Sequence, residues 1–122
     1  MEDESKVTGA GPKAAVPLQA KLFEAERASG PSGAVLREAE IEFSAAVACR
    51  VRGEDIVVCG DATGENRRLA LRVESAVGPP SPLQFPHKRA GPLSLPHFHQ
   101  LNHSPDGHSF YETDKRKSRK KP

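Results

Sequence analysis

All five histidines of this 122-residue chain, His87, His97, His99, His103 and His108, fall within one 22-residue window. Imidazole titrates near neutrality, so grouped histidines suit two chemistries. Metal-independent cleavage of RNA needs one His as general base and a second as general acid, because the 2′-hydroxyl must lose a proton while the 5′-oxygen gains one. Lys88, Arg89 or Lys115 would then offset the charge on the phosphorane. Alternatively, His97 and His99 with a third imidazole could hold Zn²⁺ or another borderline metal. The bland reading is a solvated His- and Pro-rich loop. His97 and His99 are two apart, so on a strand they share a face, with Phe98 on the other. They lead the catalytic candidates; His87 and His108 come next as supporting residues, and His103 reads as a loop residue.

A basic run follows. Lys115, Arg116, Lys117, Arg119, Lys120 and Lys121 put six charges in seven positions, which by counterion release attract nucleic acid without regard to sequence. Such a tail serves equally as a solubilising or localisation signal. Tyr111 and Phe110, just before it, could stack on bases or be the last core contacts of a small sheet; for Phe110 the core is favoured. The candidate phosphate and nucleic-acid contacts are therefore Lys88, Arg89, Lys115, Arg116, Lys117 and Tyr111.

Charge is split along the chain. Residues 1–80 carry ten Lys or Arg against thirteen Asp or Glu, and residues 81–122 carry eight against three, so the C-terminal part is the one suited to a polyanion. Other motifs fail: GDATGEN lacks the Lys and spacing of a P-loop, no GxSxG is present, and Cys59 reads as buried structure rather than nucleophile. Cys49 and Cys59 have no CxxC spacing; they leave a disulfide open and supply no zinc set. No stretch approaches the roughly 20 apolar residues of a membrane span, and MEDESK is acidic where a Sec signal peptide is basic. A chain with no membrane partner, made without Sec export, is expected.

The elements that must position the histidines follow from periodicity. Leu36, Ala39, Phe43, Ala46 and Val47 recur at helical spacing over residues 34–49, predicting an amphipathic helix. Asp55 to Cys59 is a short β-branched run that suits a buried strand. A second helix, capped by Asp61 or Thr63, carries Leu69, Val73, Ala76 and Val77 and stops at Gly78-Pro79-Pro80. Extended segments are expected at Leu83–His87, Leu95–Leu101 and Ser109–Glu112. A tight turn at Ser104-Pro105-Asp106-Gly107 would join the last two as a hairpin, setting His108 or Phe110 opposite His99 to His103. Residues 1–33 read as a flexible leader with a helical turn near Leu18–Phe23, residues 34–113 as the domain, and residues 114–122 as a disordered basic tail. The expected fold is α+β, with two helices packed on a small, mostly antiparallel sheet.

From Pro86 to Glu112 the sequence reads PH, AGP, LPHFHQ and GHSFYE. This segment resembles the C-terminal toxin domains of bacterial polymorphic toxin systems, in which a PHxH-type strand precedes a Gly-containing turn and a terminal aromatic strand. The resemblance implies a ribonuclease that acts inside a target cell, with RNA as substrate; a location in the cytoplasm or in a target cell, no cofactor, and a cognate immunity protein as partner are the accompanying expectations. It implies active-site roles for His97 and His99 and supporting ones for His87 and His108. Toxin modules normally end a long delivery protein, whereas this chain opens at its own Met behind a short leader. The rival readings are a non-enzymatic nucleic-acid-binding or interaction module using the tail, and a His-based metal-binding module.

Overall fold

The computed structural model describes residues 19–83 and 91–122. Strands β1 (Lys21–Arg27) and β2 (Val35–Ile41) lead into helix α1 (Phe43–Val51). They are followed by β3 (Ile56–Cys59), α2 (Thr63–Val77), β4 (His97–Phe98), β5 (Ser109–Tyr111) and β6 (Arg119–Lys120). The strands form one mixed sheet in the order β4-β5-β3-β1-β2-β6. Three pairings are antiparallel, β1–β2, β1–β3 and β4–β5; β3–β5 and β2–β6 are parallel. The fold is α+β, with two helices on the sheet as expected.

Both helices cover one face. Leu22, Ile56, Val58, Phe98 and Tyr111 from the sheet meet Ala46 and Cys49 of α1 and Leu69, Ala70 and Val73 of α2. Each large apolar side chain so buried contributes about 1.5–3 kcal/mol. The pleat sends alternate residues to the other face, where Leu95 lies over Val35, Val57 and Phe110, with Phe23, Ala25 and Cys59 packed alongside.

Three expectations are corrected. The helix over residues 34–49 is instead β2 followed by α1. VLREAEI fits alternation as well as helical spacing, and pairing with β1, Leu22 opposite Ile41 and Arg27 opposite Val35, overrides the helix propensity of its Glu and Ala residues. The leader boundary at residue 33 is wrong for the described part: residues 21–27 are an inner strand between β2 and β3, not a helical turn. The tail is not disordered. Lys120 pairs with Arg37 in β6, and Lys121 Nζ lies 2.6 Å from Glu26 and 3.3 Å from Glu38.

Smaller differences concern the ends. Helix α2 starts after Ala62 with no side-chain cap, and Ala76 is exposed. Cys49 and Cys59 are both free thiols. Among the described residues no helix is long and apolar enough to cross a membrane. The extended segment expected at Leu83–His87 lies, after Leu83, outside the described residues.

One buried ion pair ties the layers together. Arg50 and Glu74 are both fully buried, with Nε 2.6 Å from Oε2. The guanidinium also donates to the other Glu74 oxygen and to the carbonyls of Glu54, Asp106 and Gly107, which uses all five of its N–H groups. Gln100 Nε2 and the Ser109 hydroxyl complete the Glu74 carboxylate. This network fixes the loop that leads into β5. Gly107 has φ +100°, and a Cβ there would meet Arg50 Nη1 at 2.6 Å and the Gly53 carbonyl at 2.9 Å. Gly107→Ala is therefore expected to destabilise the fold by more than about 1 kcal/mol, read as a lowered denaturation midpoint; an unchanged midpoint would show that this loop is not held by Arg50.

Candidate active site

The parallel register of β3 and β5 sets Ile56 beside Ser109, so the residues just before each strand, Asp55 and His108, are also neighbours. The Ile56 amide donates to the His108 carbonyl at 3.1 Å and the Ala25 amide to the Asp55 carbonyl at 3.2 Å, fixing both backbones. Asp55 Oδ1 then accepts from the His108 amide at 2.8 Å and lies 3.2 Å from its ring Nδ1. A carboxylate only accepts, so Nδ1 carries the hydrogen and Nε2 of the neutral ring is left with its lone pair. Burial pushes the Asp55 carboxyl up. The His108 ring and amide, with the charges of His108 and Arg27, outweigh this and hold it below its ordinary 3.8.

The imidazoles converge. The His97 ring centre is 4.7 Å from that of His108, edge-on, and 6.1 Å from that of His99. His99 lies 6.4 Å from His108 and stacks on His103 at 4.2 Å. His99 Nδ1 donates to the Gln100 carbonyl at 2.7 Å, again leaving Nε2 available. Next to this group is a cavity of about 350 Å³ lined by Arg27, Asp55, His103, Asp106 and His108 among others. Arg27 Nε is 3.9 Å from Asp55 Oδ2, and the Arg27 side chain is 65% exposed, so its charge faces the cavity.

His97, one of the two leading candidates, is the least suited to proton transfer at neutral pH. Burial, and then the neighbouring His108, push its ring down to about 4, so it stays neutral and packs against Phe110 at 5.4 Å. Its folded value lies below the ordinary 6.5, so on acidification the unfolded chain takes up this proton first. Stability is therefore fully present above about pH 6.5 and falls as the pH drops toward 4. The urea midpoint is expected to fall between pH 7.5 and pH 5, and His97→Gln to flatten that fall; an equal fall in the variant would assign the acid sensitivity to other groups.

The hairpin register differs from expectation. Phe110 lies opposite His97, and Ser109 opposite Phe98, because residues 99–108 form a long loop rather than a tight turn. Gln100 draws that loop back onto the end of α2 by bridging to Pro80 and bonding the Glu74 carbonyl. The loop carries His103, read from sequence as a bystander, to the cavity wall with φ +59°.

The predicted nucleic-acid contacts scatter. Tyr111 is buried with its ring 6.1 Å from Phe98 in the helix-side core, so it offers no surface for a base. Arg116 donates to the Ser94 carbonyl at 2.8 Å, Lys115 is exposed, and Lys117 reaches the Gly60 carbonyl at 3.4 Å. All three lie away from the histidine cavity. His87, Lys88 and Arg89 lie outside the described residues. Asp55 and Arg27 were missed from sequence, and the signal for Asp55 was its place immediately before a buried strand. Among the described residues, no group of three or more His, Cys, Asp or Glu side chains is arranged to hold a metal ion.

The chain matches no protein-family profile, no curated protein and no solved structure. The toxin-domain resemblance therefore rests on the quoted residues alone.

Proposed function

We propose that the protein is a ribonuclease that cleaves RNA by histidine acid/base chemistry, as the toxin-domain resemblance implies. The observation that carries this is the Asp55–His108 pair opening on the same cavity as His103 and Arg27. His108 Nε2 takes the proton of the 2′-hydroxyl, with Asp55 holding the ring and stabilising the imidazolium that forms. The 2′-oxygen attacks phosphorus. His103, stacked on His99, acts as the general acid and gives a proton to the departing 5′-oxygen, leaving a 2′,3′-cyclic phosphate and a 5′-hydroxyl. Arg27 offsets charge on the phosphoryl oxygens. His97 and His99 act as positioning residues behind the pair. The same reading implies an immunity protein that covers this cavity.

The non-enzymatic alternative draws on the exposed Lys115, Lys117, Arg119 and Lys120. An RNA carrying a single 2′-deoxynucleotide at the cleaved position separates the two. A ribonuclease of this kind leaves that linkage intact while cutting the all-ribose strand. Cleavage that ignores the substitution rules out attack by the 2′-oxygen, and binding without cleavage leaves the non-enzymatic module.

A further inference from the structure

The sheet face away from the helices has a second cavity, of about 450 Å³, at the opposite end of β3 from Asp55. Its floor is the half-buried Phe23, beside Cys59, and its walls carry Lys21, Arg37, Lys117 and Asp61. Glu112, also in the lining, lies 3.9 Å from Arg37 Nη1 and is further engaged. It accepts from the Gly60 amide at 3.3 Å and from the Ser118 amide and hydroxyl at 2.8 and 2.7 Å. Arg37 Nη1 is held on the Ser118 carbonyl and hydroxyl, both at 2.9 Å. Three cations thus surround an aromatic floor, with the Asp61 carboxylate as a hydrogen-bond acceptor.

The geometry points to this cavity as a nucleotide subsite for single-stranded RNA, with a base on Phe23, phosphate against Lys21, Arg37 and Lys117, and Asp61 accepting from a base amino group or ribose hydroxyl. Base–aromatic stacking beside cations is the general means of holding single strands, and the volume lies within the range that takes small ligands. Cys59 ends β3 and Asp55 immediately precedes it, four positions apart, which at strand spacing separates the two cavities by roughly 13 Å. A stacked strand covers that in about four nucleotides at roughly 3.4 Å each. The subsite shares its ligand class with the ribonuclease reading but does not depend on catalysis.

The test uses the full chain carrying His108→Ala, so that RNA survives, and the fluorescence anisotropy of a labelled eight-nucleotide oligouridylate. Phe23→Leu keeps apolar bulk while removing the ring, and is expected to weaken binding on the order of 10-fold. Lys21→Glu with Lys117→Glu, both at exposed positions, should lower the salt slope by at least about 1.4, roughly 0.7 for each lost phosphate contact. If Phe23→Leu does not fold, the lysine pair alone decides. Unchanged affinity and slope in folded variants overturn the subsite. Equal competition by inorganic polyphosphate, together with indifference to Phe23→Leu, leaves a general anion site and overturns the nucleotide assignment. Tight oligouridylate binding by a parent chain that cuts no RNA would remove the ribonuclease reading alone. Cleavage by the parent with unaltered cavity variants would remove the subsite alone.

Discussion

His108→Ala is expected to lower RNA turnover by about 10² to 10⁴-fold, the usual worth of a positioned acid or base, with RNA affinity and its salt dependence almost unchanged. The magnitude follows from what the substitution removes. His108 is the imidazole whose Nδ1 is committed to a carboxylate and whose other nitrogen is left for substrate. Asp55→Asn should also lower turnover, because the amide can present its N–H to Nδ1 and favour the wrong tautomer. Changing Arg119 and Lys120 to Ala should have the opposite profile. They lie in β6, at the sheet edge opposite β4, and should lower only affinity and salt slope. Single-turnover and binding measurements on the same preparations check all three. Equal loss of turnover in the β6 variant would mean that the separation across the sheet has no functional counterpart.

The second large effect is on stability. Arg50→Met leaves Glu74 buried without its cation and is expected to cost about 3–5 kcal/mol, since breaking a buried pair strands a charge. A domain of this size has only about 5–15 kcal/mol in total, so the variant should melt far below the parent or fail to fold. Replacing both residues by Met should cost less than Arg50→Met alone, because no uncompensated charge remains, although the Gln100 and Ser109 bonds to Glu74 are then lost along with the loop bonds at Glu54, Asp106 and Gly107. Calorimetry of the parent, single and double variants checks this. A double variant less stable than the single would mean that the Gln100 and Ser109 bonds to Glu74 outweigh the stranded charge.

Much of the second half of the fold was legible in local sequence. The run DIVVC became β3, the stripe ending at Gly78-Pro79-Pro80 became α2, and the spacing of His97 and His99 put both rings near His108. The first half was not, for a physical reason: KLFEAER and VLREAEI are rich in helix-forming Glu, Ala and Arg, and become strands only by pairing with each other and with β3. The site was half-readable for the same reason. Asp55 and His108 are 53 residues apart, and only the parallel β3–β5 register brings them together. Tyr111 illustrates the converse, since local context offered both base stacking and core, and the helix face took it. His103 was set aside because a turn residue has no face in a strand pattern; the long loop gave it one.

The activity proposed for His108, held by Asp55, is metal-independent cleavage of RNA. Its most direct test is to incubate the purified full chain and its His108→Ala variant with one end-labelled RNA in excess EDTA and to resolve the products. The parent is expected to yield fragments ending in 2′,3′-cyclic phosphate at a rate unaffected by the chelator, and the variant essentially none over the same time. An intact RNA in both reactions, or equal cleavage in both, would contradict the claim.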